Sequence, residues 1–590
     1  MFSVHQHRLG VILRHLSASS VKWVTTTSQG SQHLASQPGT GETKMSDLLS
    51  TEDLKQRLRI QFSRAKLGLF TQTPPHQENI FANNAFLTSY LTQIFPKEVH
   101  NAVWADLIRF GHRAVTDIYP LGRECELSQP YVRAFDAWGN RTDDLVTCQA
   151  WKDLKKISAE EGLIASAYEG KYGEYDRLYQ MVKLYIFSPV SGLYSCPLAM
   201  TDGAAKTAKM ITSDHLQEAY QHLTSRDPQK FWTSGQWMTE KRGGSDVSGS
   251  TETVALEQPD GTYQLFGYKW FSSATDADMA LTLANIISED QPEPKPRGLT
   301  MFYLETRRED GKLNGIEIVK LKNKLGTRQV PPPGVSLDGS VATPGFPAGA
   351  RGYCTIANML TINGEHNSIS SCALMGRLLG REEAGVATHE ESLVLRIITP
   401  IMKFFTAKMA MTITSEGLEC FGGQGYIEDT GLPAHLRDAQ VLPIWEGTTN
   451  IMSLDFLRAV TKSEGEALTV LFGDVKARLQ HVMSSTASES LGDSCQKVNL
   501  AMDELISFMQ KHPHLIFPGA RDIATTIAHI YIGSLLLEHA AWEETSISKE
   551  VASRWCQQPL TCLTPEQYHA DNKALIMEGY NASEVYGPMF

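Results

Sequence analysis

At 590 residues the chain is too long for a single hydrophobic core, so three or four domains are expected. Its net charge of −12 argues against nucleic acid or an anionic membrane surface as a partner. The best apolar run, 530–537, is too short to span a membrane, and the nine cysteines contain no CxxC pair that would point to zinc or a disulfide framework.

The first 41 residues contain no Asp or Glu. They carry Arg8, Arg14 and Lys22, many Ser and Thr, and Leu9, Ile12, Leu13 and Leu16 at helical spacing. Such a start reads as a mitochondrial (matrix) transit peptide, with a disordered tail on a cytoplasmic protein as the alternative. Residues 1–45 are therefore set outside the fold. From 46 to 230 the pattern is mostly helical: His100, Val103, Trp104, Leu107 and Phe110 share one face. The character changes near Phe231. Residues 263–271 (YQLFGYKWF) have strand composition after a Pro-Asp-Gly turn, and 280–287 and 299–304 read as further strands. The segment 231–330 is thus expected to form a β-barrel or sandwich. The Pro/Gly-rich stretch 331–352 reads as a loop with little regular structure. Helix resumes in 353–463, with a long helix over 397–421 ended by Gly422-Gly423. Another helix opens at Asn450. Residues 464–590 read as a separate helical domain.

Three stretches carry candidate chemistry. In 235–250 (GQWMTEKRGGSDVSGS), Thr239 and the turn 243–245 offer hydroxyls and exposed N–H groups suited to a pyrophosphate or a polar ring edge. Alone, that loop is more often a surface turn. In 269–273 (KWFSS), Trp270 alone reads as core. The stretch 418–450 holds Gly-rich turns and one carboxylate, Glu446, between Trp445 and Gly447. Alone, Glu446 reads as a loop carboxylate paired with Arg437 or another base. Arg437-Asp438 reads as an internal ion pair, and 320–328 as a solvated edge of the β domain. No HExxH or HxxxH spacing suggests a metal, and no GxGxxG follows a strand, so a Rossmann fold is not expected.

Together and in this order, MTEKRGGSDV, GYKWFSS and FGGQGYIEDTGLP…RDAQVLPIWEGTTN resemble the acyl-CoA dehydrogenase family, in particular its AidB-like branch. The resemblance implies an α+β fold: an N-terminal helical domain, a middle β-barrel domain, and a C-terminal helical bundle with an extra helical region. It implies FAD as cofactor, an acyl-CoA substrate, an electron-transfer flavoprotein as acceptor and a homotetramer. By position, Met238, Thr239, Gly244 and Ser245 match the first flavin-binding loop. Trp270 matches the residue the flavin rests on, with Phe271 and Ser272 beside it. Thr448 and Asn450 match nucleotide contacts, and Gly422, Gly423 and Gly425 match the turn that approaches the FAD of a neighbouring subunit. Glu446 matches the base that removes the substrate α-proton while a β-hydride moves to flavin N5. Burial beside Trp445 is expected to make it a better base than a solvated Glu. Two other readings stand: a flavoprotein that sequesters acyl-CoA without turnover, and an AidB-like DNA-associated protective protein. Against the latter, 464–590 carries eight Lys/Arg and sixteen Asp/Glu, the wrong sign for phosphate.

The chain also departs from that family. Several tens of residues are missing between about Ala373 and Gly376, including an Arg-…-Phe-Gly segment that in the family meets the FAD diphosphate across a subunit interface. The loss of about one helix pair is expected to bare apolar helix faces. The intact flanking motifs favour a splice form or gene-model artefact over a rebuilt bundle. The Pro-rich run after Arg328 does not read as the strand the family would place there.

Overall fold

The computed structural model describes residues 72–211, 213–244, 247–288, 299–331, 333–345 and 372–568. The expected transit segment 1–45, Ser245, and the 346–352 end of the expected loop lie outside the described residues.

The N-terminal domain is built from α1 (Ala85–Ile94), α2 (Lys97–Arg113), α3 (Tyr119–Leu127), α4 (Gln149–Glu160), α5 (Asp176–Phe187), α6 (Ser195–Met210) and α7 (Asp214–Leu223). Val103, Leu107 and Phe110 of α2 are fully buried, as their spacing predicts. Helix α5 is the axis of this domain, with eleven of its twelve residues buried, Arg177 and Lys183 among them. A hairpin of β1 (Tyr131–Phe135) and β2 (Arg141–Val146) interrupts the helices. Asp136 closes it by accepting from the N–H groups of Trp138 and Asn140.

The middle domain is a closed barrel. Its strands are β3 (Ser234–Trp237), β4 (Val254–Glu257), β5 (Tyr263–Lys269), β6 (Met279–Ile287), β7 (Leu299–Glu305), β8 (Ile316–Leu321) and β9 (Pro333–Pro344). The ring runs β6–β4–β5–β9–β7 and closes by β7 pairing back to β6. This corrects two expectations. The stretch 331–352 is not a plain loop, because 333–344 forms the long strand β9, and the domain does not end at 330. The prolines sit at the two ends of β9, where a missing ladder N–H is tolerated. Between them Val335, Leu337 and Ala342 face the barrel core. Gly339, at φ +74°, lies where the β5–β9 register shifts and lets the strand bend with the barrel.

The C-terminal part comprises α8 (Cys372–Glu383), α9 (His389–Cys420), α10 (Leu432–Ala439), α11 (Thr449–Lys462), α12 (Glu466–Met483), α13 (Ser488–Lys511), α14 (Ala520–Glu543) and α15 (Ser546–Gln557). Helix α9 starts earlier than periodicity indicates because Thr388 and Glu391 form a capping box. Residues of α8, α9 and α12 to α15 form one hydrophobic cluster, so 464–590 packs as a continuation of the bundle rather than apart from it. No described helix is long and apolar enough to cross a membrane.

The sequence junction at 373–376 falls inside α8, which docks on α5. Arg177 fixes that contact: its guanidinium lies 2.6 Å from Asp202 and 2.9 Å from Glu383, fully buried against Asp202. Beyond Ala407 the α9 face is partly covered rather than bare. Met409, Ala410 and Met411 are half-buried and Ile413 is exposed, whereas Val394 to Ala407 contribute a buried stripe.

Because Arg177 is the buried counter-charge of Asp202, Arg177→Met is expected to destabilise the protein by about 3–5 kcal/mol. Denaturant unfolding checks it; a loss under about 1 kcal/mol would contradict the anchoring role.

Candidate functional site

Strand β5 carries the second stretch directly onto the first. The Trp270 N–H donates to the Thr239 carbonyl at 2.8 Å, and Trp237 Nε1 donates to the Ser273 carbonyl at 3.2 Å. Beneath this crossing lies a buried ion pair that the sequence reading did not single out. Lys269 Nζ is 2.6 Å from Glu240 Oε1 and donates to the Leu283 carbonyl at 2.7 Å. Glu240 also accepts from Thr253 Oγ1 and the Glu252 N–H. Burial, the largest single influence, would raise the Glu240 pKa, but the lysine charge and the hydrogen bonds from Lys269, Thr253 and Glu252 together outweigh it and hold the carboxyl below its usual range. A lysine amid strand aromatics was the available signal, since a buried charge must find a counter-charge.

Around that pair, Met238 is buried and Thr239 half-buried. Gly244 is exposed with open space around it. Trp270 and Phe271 are exposed, with Lys322 Nζ 3.6 Å from the Trp270 ring centroid. Ser272 is buried, and its hydroxyl makes no hydrogen bond among the described residues.

In the third stretch α9 gives way to a short turn, Gly422–Tyr426. Gly422, at φ +57°, and Gly423 are exposed to open space, whereas Gly425 is buried against the Leu418 carbonyl. Thr448 caps α11 without a side-chain hydrogen bond, and Thr448 and Asn450 are exposed. Arg437 and Asp438 do not form the internal pair expected of them. Arg437 binds Glu126 at 3.0 Å and Glu428 at 2.5 Å. Asp438 accepts the Thr327 N–H at 2.6 Å. Two adjacent side chains on a helix point to different faces, so each finds its own partner. The segment 320–328 is a solvated edge only in part: Lys320, Asn323 and Leu325 are exposed, but its end is covered. Thr327 is buried, and Gly326 approaches α10 so closely that a Cβ would lie 2.4 Å from the Arg437 carbonyl.

Glu446 is half-buried and adopts φ +53°, the left-handed region that non-glycine residues seldom occupy. It is not paired with Arg437, whose partners lie elsewhere. Its electrostatic neighbours are Lys403 of α9 and Cys196 of α6. Burial pushes the Cys196 thiol up to about 12, with Glu446 adding to the rise and Lys324 opposing it. Burial pulls Lys324 down to about 8. Cys196 also packs on Met200, Ala274 and Ala277, the last two just beyond the 269–273 stretch. The structure therefore brings Glu446 to a point where the helical domain, the barrel and the bundle meet. The first two stretches touch directly, the Glu446 charge of the third acts on Cys196 beside the second, and Gly422, Gly423 and Asn450 are exposed.

A cavity of about 530 Å3 lies elsewhere, in the N-terminal domain, lined by Asp106, Arg109, Glu161, Lys183 and Arg226 among others. Its charges already satisfy one another, with Lys183 2.9 Å from Asp106 and Arg109 2.5 Å from Glu161.

Comparison with known proteins places this arrangement. The chain matches the adaptive response protein AidB N-terminal domain over residues 71–228 and the acyl-CoA dehydrogenase middle domain over 235–339. It also matches the acyl-CoA dehydrogenase C-terminal domain over 375–461 and the acyl-CoA dehydrogenase 11 C-terminal domain-like family over 466–578. It is 41% identical to acyl-CoA dehydrogenase family member 11 of Caenorhabditis elegans, covering 89% of this chain and 95% of that protein. That alignment has 599 positions, more than the 590 residues here, so it opens gaps in this chain. It is 28% identical to the putative acyl-CoA dehydrogenase AidB of Escherichia coli over 61% of this chain and 74% of that protein. Among solved structures, C. elegans ACDH-11 in complex with C11-CoA superposes with a TM-score of 0.83 at 40% identity, covering 89% of this chain and 99% of that one. Bd2924 in its apo form gives 0.69 at 36% identity, over 82% and 100%.

Gly326→Ala is expected to lift the 322–330 segment off α10 at a cost of about 1–3 kcal/mol. Limited proteolysis checks it: cleavage in that segment should rise, and wild-type resistance would contradict the close approach.

Proposed function

The chain belongs to the acyl-CoA dehydrogenase family, and from that premise we propose that it oxidises an acyl-CoA thioester across its Cα–Cβ bond, with FAD as cofactor and Glu446 as base. The observation that carries the reading is the placement of Glu446: a carboxylate in a strained backbone conformation, flanked by two carbonyls bound to Lys403 and close enough for its charge to act on Cys196 of α6.

The residues present fit a flavin nucleotide. Gly244, Gly422 and Gly423 present backbone to open space, where a Cβ would meet nothing. The Ser272 hydroxyl and Trp445 Nε1 are buried donors without a hydrogen-bond partner in the described protein. Trp270 offers an exposed ring. The α11 N-terminus, uncapped by a side chain, leaves N–H groups and the positive end of a helix dipole for a diphosphate. When bound, FAD supplies the acceptor for the β-hydride.

The protein's own part is proton removal and exclusion of water. An α-proton of a thioester is weakly acidic, so its removal needs a held base and donors toward the thioester oxygen. The Glu446 side chain takes the proton, and the backbone N–H of the same residue is the donor the family resemblance assigns to the oxygen. The apolar surface of Met200, Ala274 and Ala277 beside Cys196 supports a dry approach for an acyl chain. ACDH-11 was crystallised with C11-CoA, which makes an acyl chain of that length the first substrate to test. An electron-transfer flavoprotein as acceptor, a mitochondrial matrix location and a homotetramer complete the proposal. The acid-free, Ser-rich start supports the location.

A second reading, acyl-CoA binding without turnover, is favoured by the junction inside α8 and the half-bare C-terminal half of α9. One experiment separates the two. On anaerobic mixing of the flavin-loaded protein with C11-CoA, the wild type should bleach its flavin. Glu446→Gln should slow bleaching about 10²–10⁴-fold while leaving acyl-CoA affinity within a few-fold. Binding without bleaching in the wild type would establish sequestration instead.

A further inference from the structure

Lys403 sits mid-helix in α9, 1% exposed, in the hydrophobic half of the bundle. Its ammonium donates to three backbone carbonyls: Leu442 at 3.0 Å, Trp445 at 2.7 Å and Gly447 at 2.5 Å. An ammonium has three N–H donors and no more, so each has an acceptor here. Two of the acceptors flank Glu446 on either side, and the third lies four residues before it. Between them Glu446 holds φ +53° and Gly447 φ +109°. A non-glycine residue in the left-handed region is strained and persists only where its surroundings over-determine it. The clamp supplies that determination.

We propose that Lys403 is a positioning residue: its three hydrogen bonds hold residues 442–447 so that Glu446 keeps the backbone conformation from which it reaches substrate. The proposal rests on the reading of Glu446 as base. A purely structural lysine would serve as well anywhere on the loop, whereas this one brackets the single carboxylate. Its environment agrees. Burial pulls Lys403 down to about 8, with the charge on Glu446 limiting the fall. Cys196 of α6 also feels the Glu446 charge, and Lys324, after β8, opposes it there. Sequence periodicity flagged no role for Lys403, because a lysine on a helix reads by default as a solvated position.

The test uses the full flavin-loaded chain with C11-CoA. Lys403→Met keeps the length of the side chain and removes every donor; Lys403→Gln keeps two donors and tolerates the site if Met does not. The expected result is a 10- to 100-fold fall in the rate of anaerobic flavin reduction, with C11-CoA affinity by calorimetry within threefold. Amide hydrogen exchange over 441–449 should accelerate. The Gln variant should lie between Met and wild type. Placed in a Glu446→Gln background, either substitution should cost less than twofold further. An unchanged reduction rate, a loss carried wholly by affinity, or a full additional loss in the Glu446→Gln background would overturn the proposal. If Glu446→Gln alone reduces flavin at the wild-type rate, the base assignment has failed instead, and the two failures are told apart.

Discussion

A charge taken out of water must find partners, and three of the buried cations here each tie one element to another. Arg177 joins the helical domain to α8 through Asp202 and Glu383. Lys269 joins the first two chemical stretches through Glu240. Lys403 joins α9 to the loop that carries Glu446. Each has given up hydration, so each tolerates little displacement of its partners. Apolar packing would hold the same elements together with less positional precision. The geometry of the candidate site follows from these three anchors rather than from the Gly-rich turns that first draw the eye.

Much of the chemistry was legible in residues alone. The three stretches lie in loops and strand ends, where identity is set by what the backbone must present, so MTEKRGGSDV, KWFSS and IWEGTTN keep their meaning without a structure. The buried face of α2 was legible from its 3.6-residue period, whereas in α9 that period marks a face buried only as far as Ala407. What was not legible depended on partners distant in sequence. Strand β9 was hidden because its prolines read as loop, and only its pairing with β5, β7 and β8 explains why prolines at its ends do no harm. The adjacency of Arg437 and Asp438 suggested a pair, yet Glu126 and Thr327 claim them, from a different domain in each case. Glu240, Lys269 and Lys403 look like surface residues until the barrel and bundle close over them.

The junction inside α8 bears on assembly more than on chemistry. The helix docks on α5 with Leu374, Met375 and Leu379 buried, so the fold is continuous across it. Farther along, Met409 to Met411 of α9 are half-buried, Ile413 is exposed, and Gly425 alone of the Gly422–Tyr426 turn is buried. Tyr426 is 87% exposed. Glu446 and its clamp therefore lie within one chain, while Gly422, Gly423 and Tyr426 are exposed at its surface.

The central claim is that a clamped, strained loop presents Glu446 to the substrate. A structure of the flavin-loaded protein with a non-oxidisable C11-CoA analogue tests it most directly. The account predicts a Glu446 carboxylate within about 3–3.5 Å of the substrate α-carbon, with φ still positive and the Lys403 ammonium on the Leu442, Trp445 and Gly447 carbonyls. A carboxylate turned away from the acyl chain into a direct pair with Lys403, with another group at the α-carbon, would contradict it.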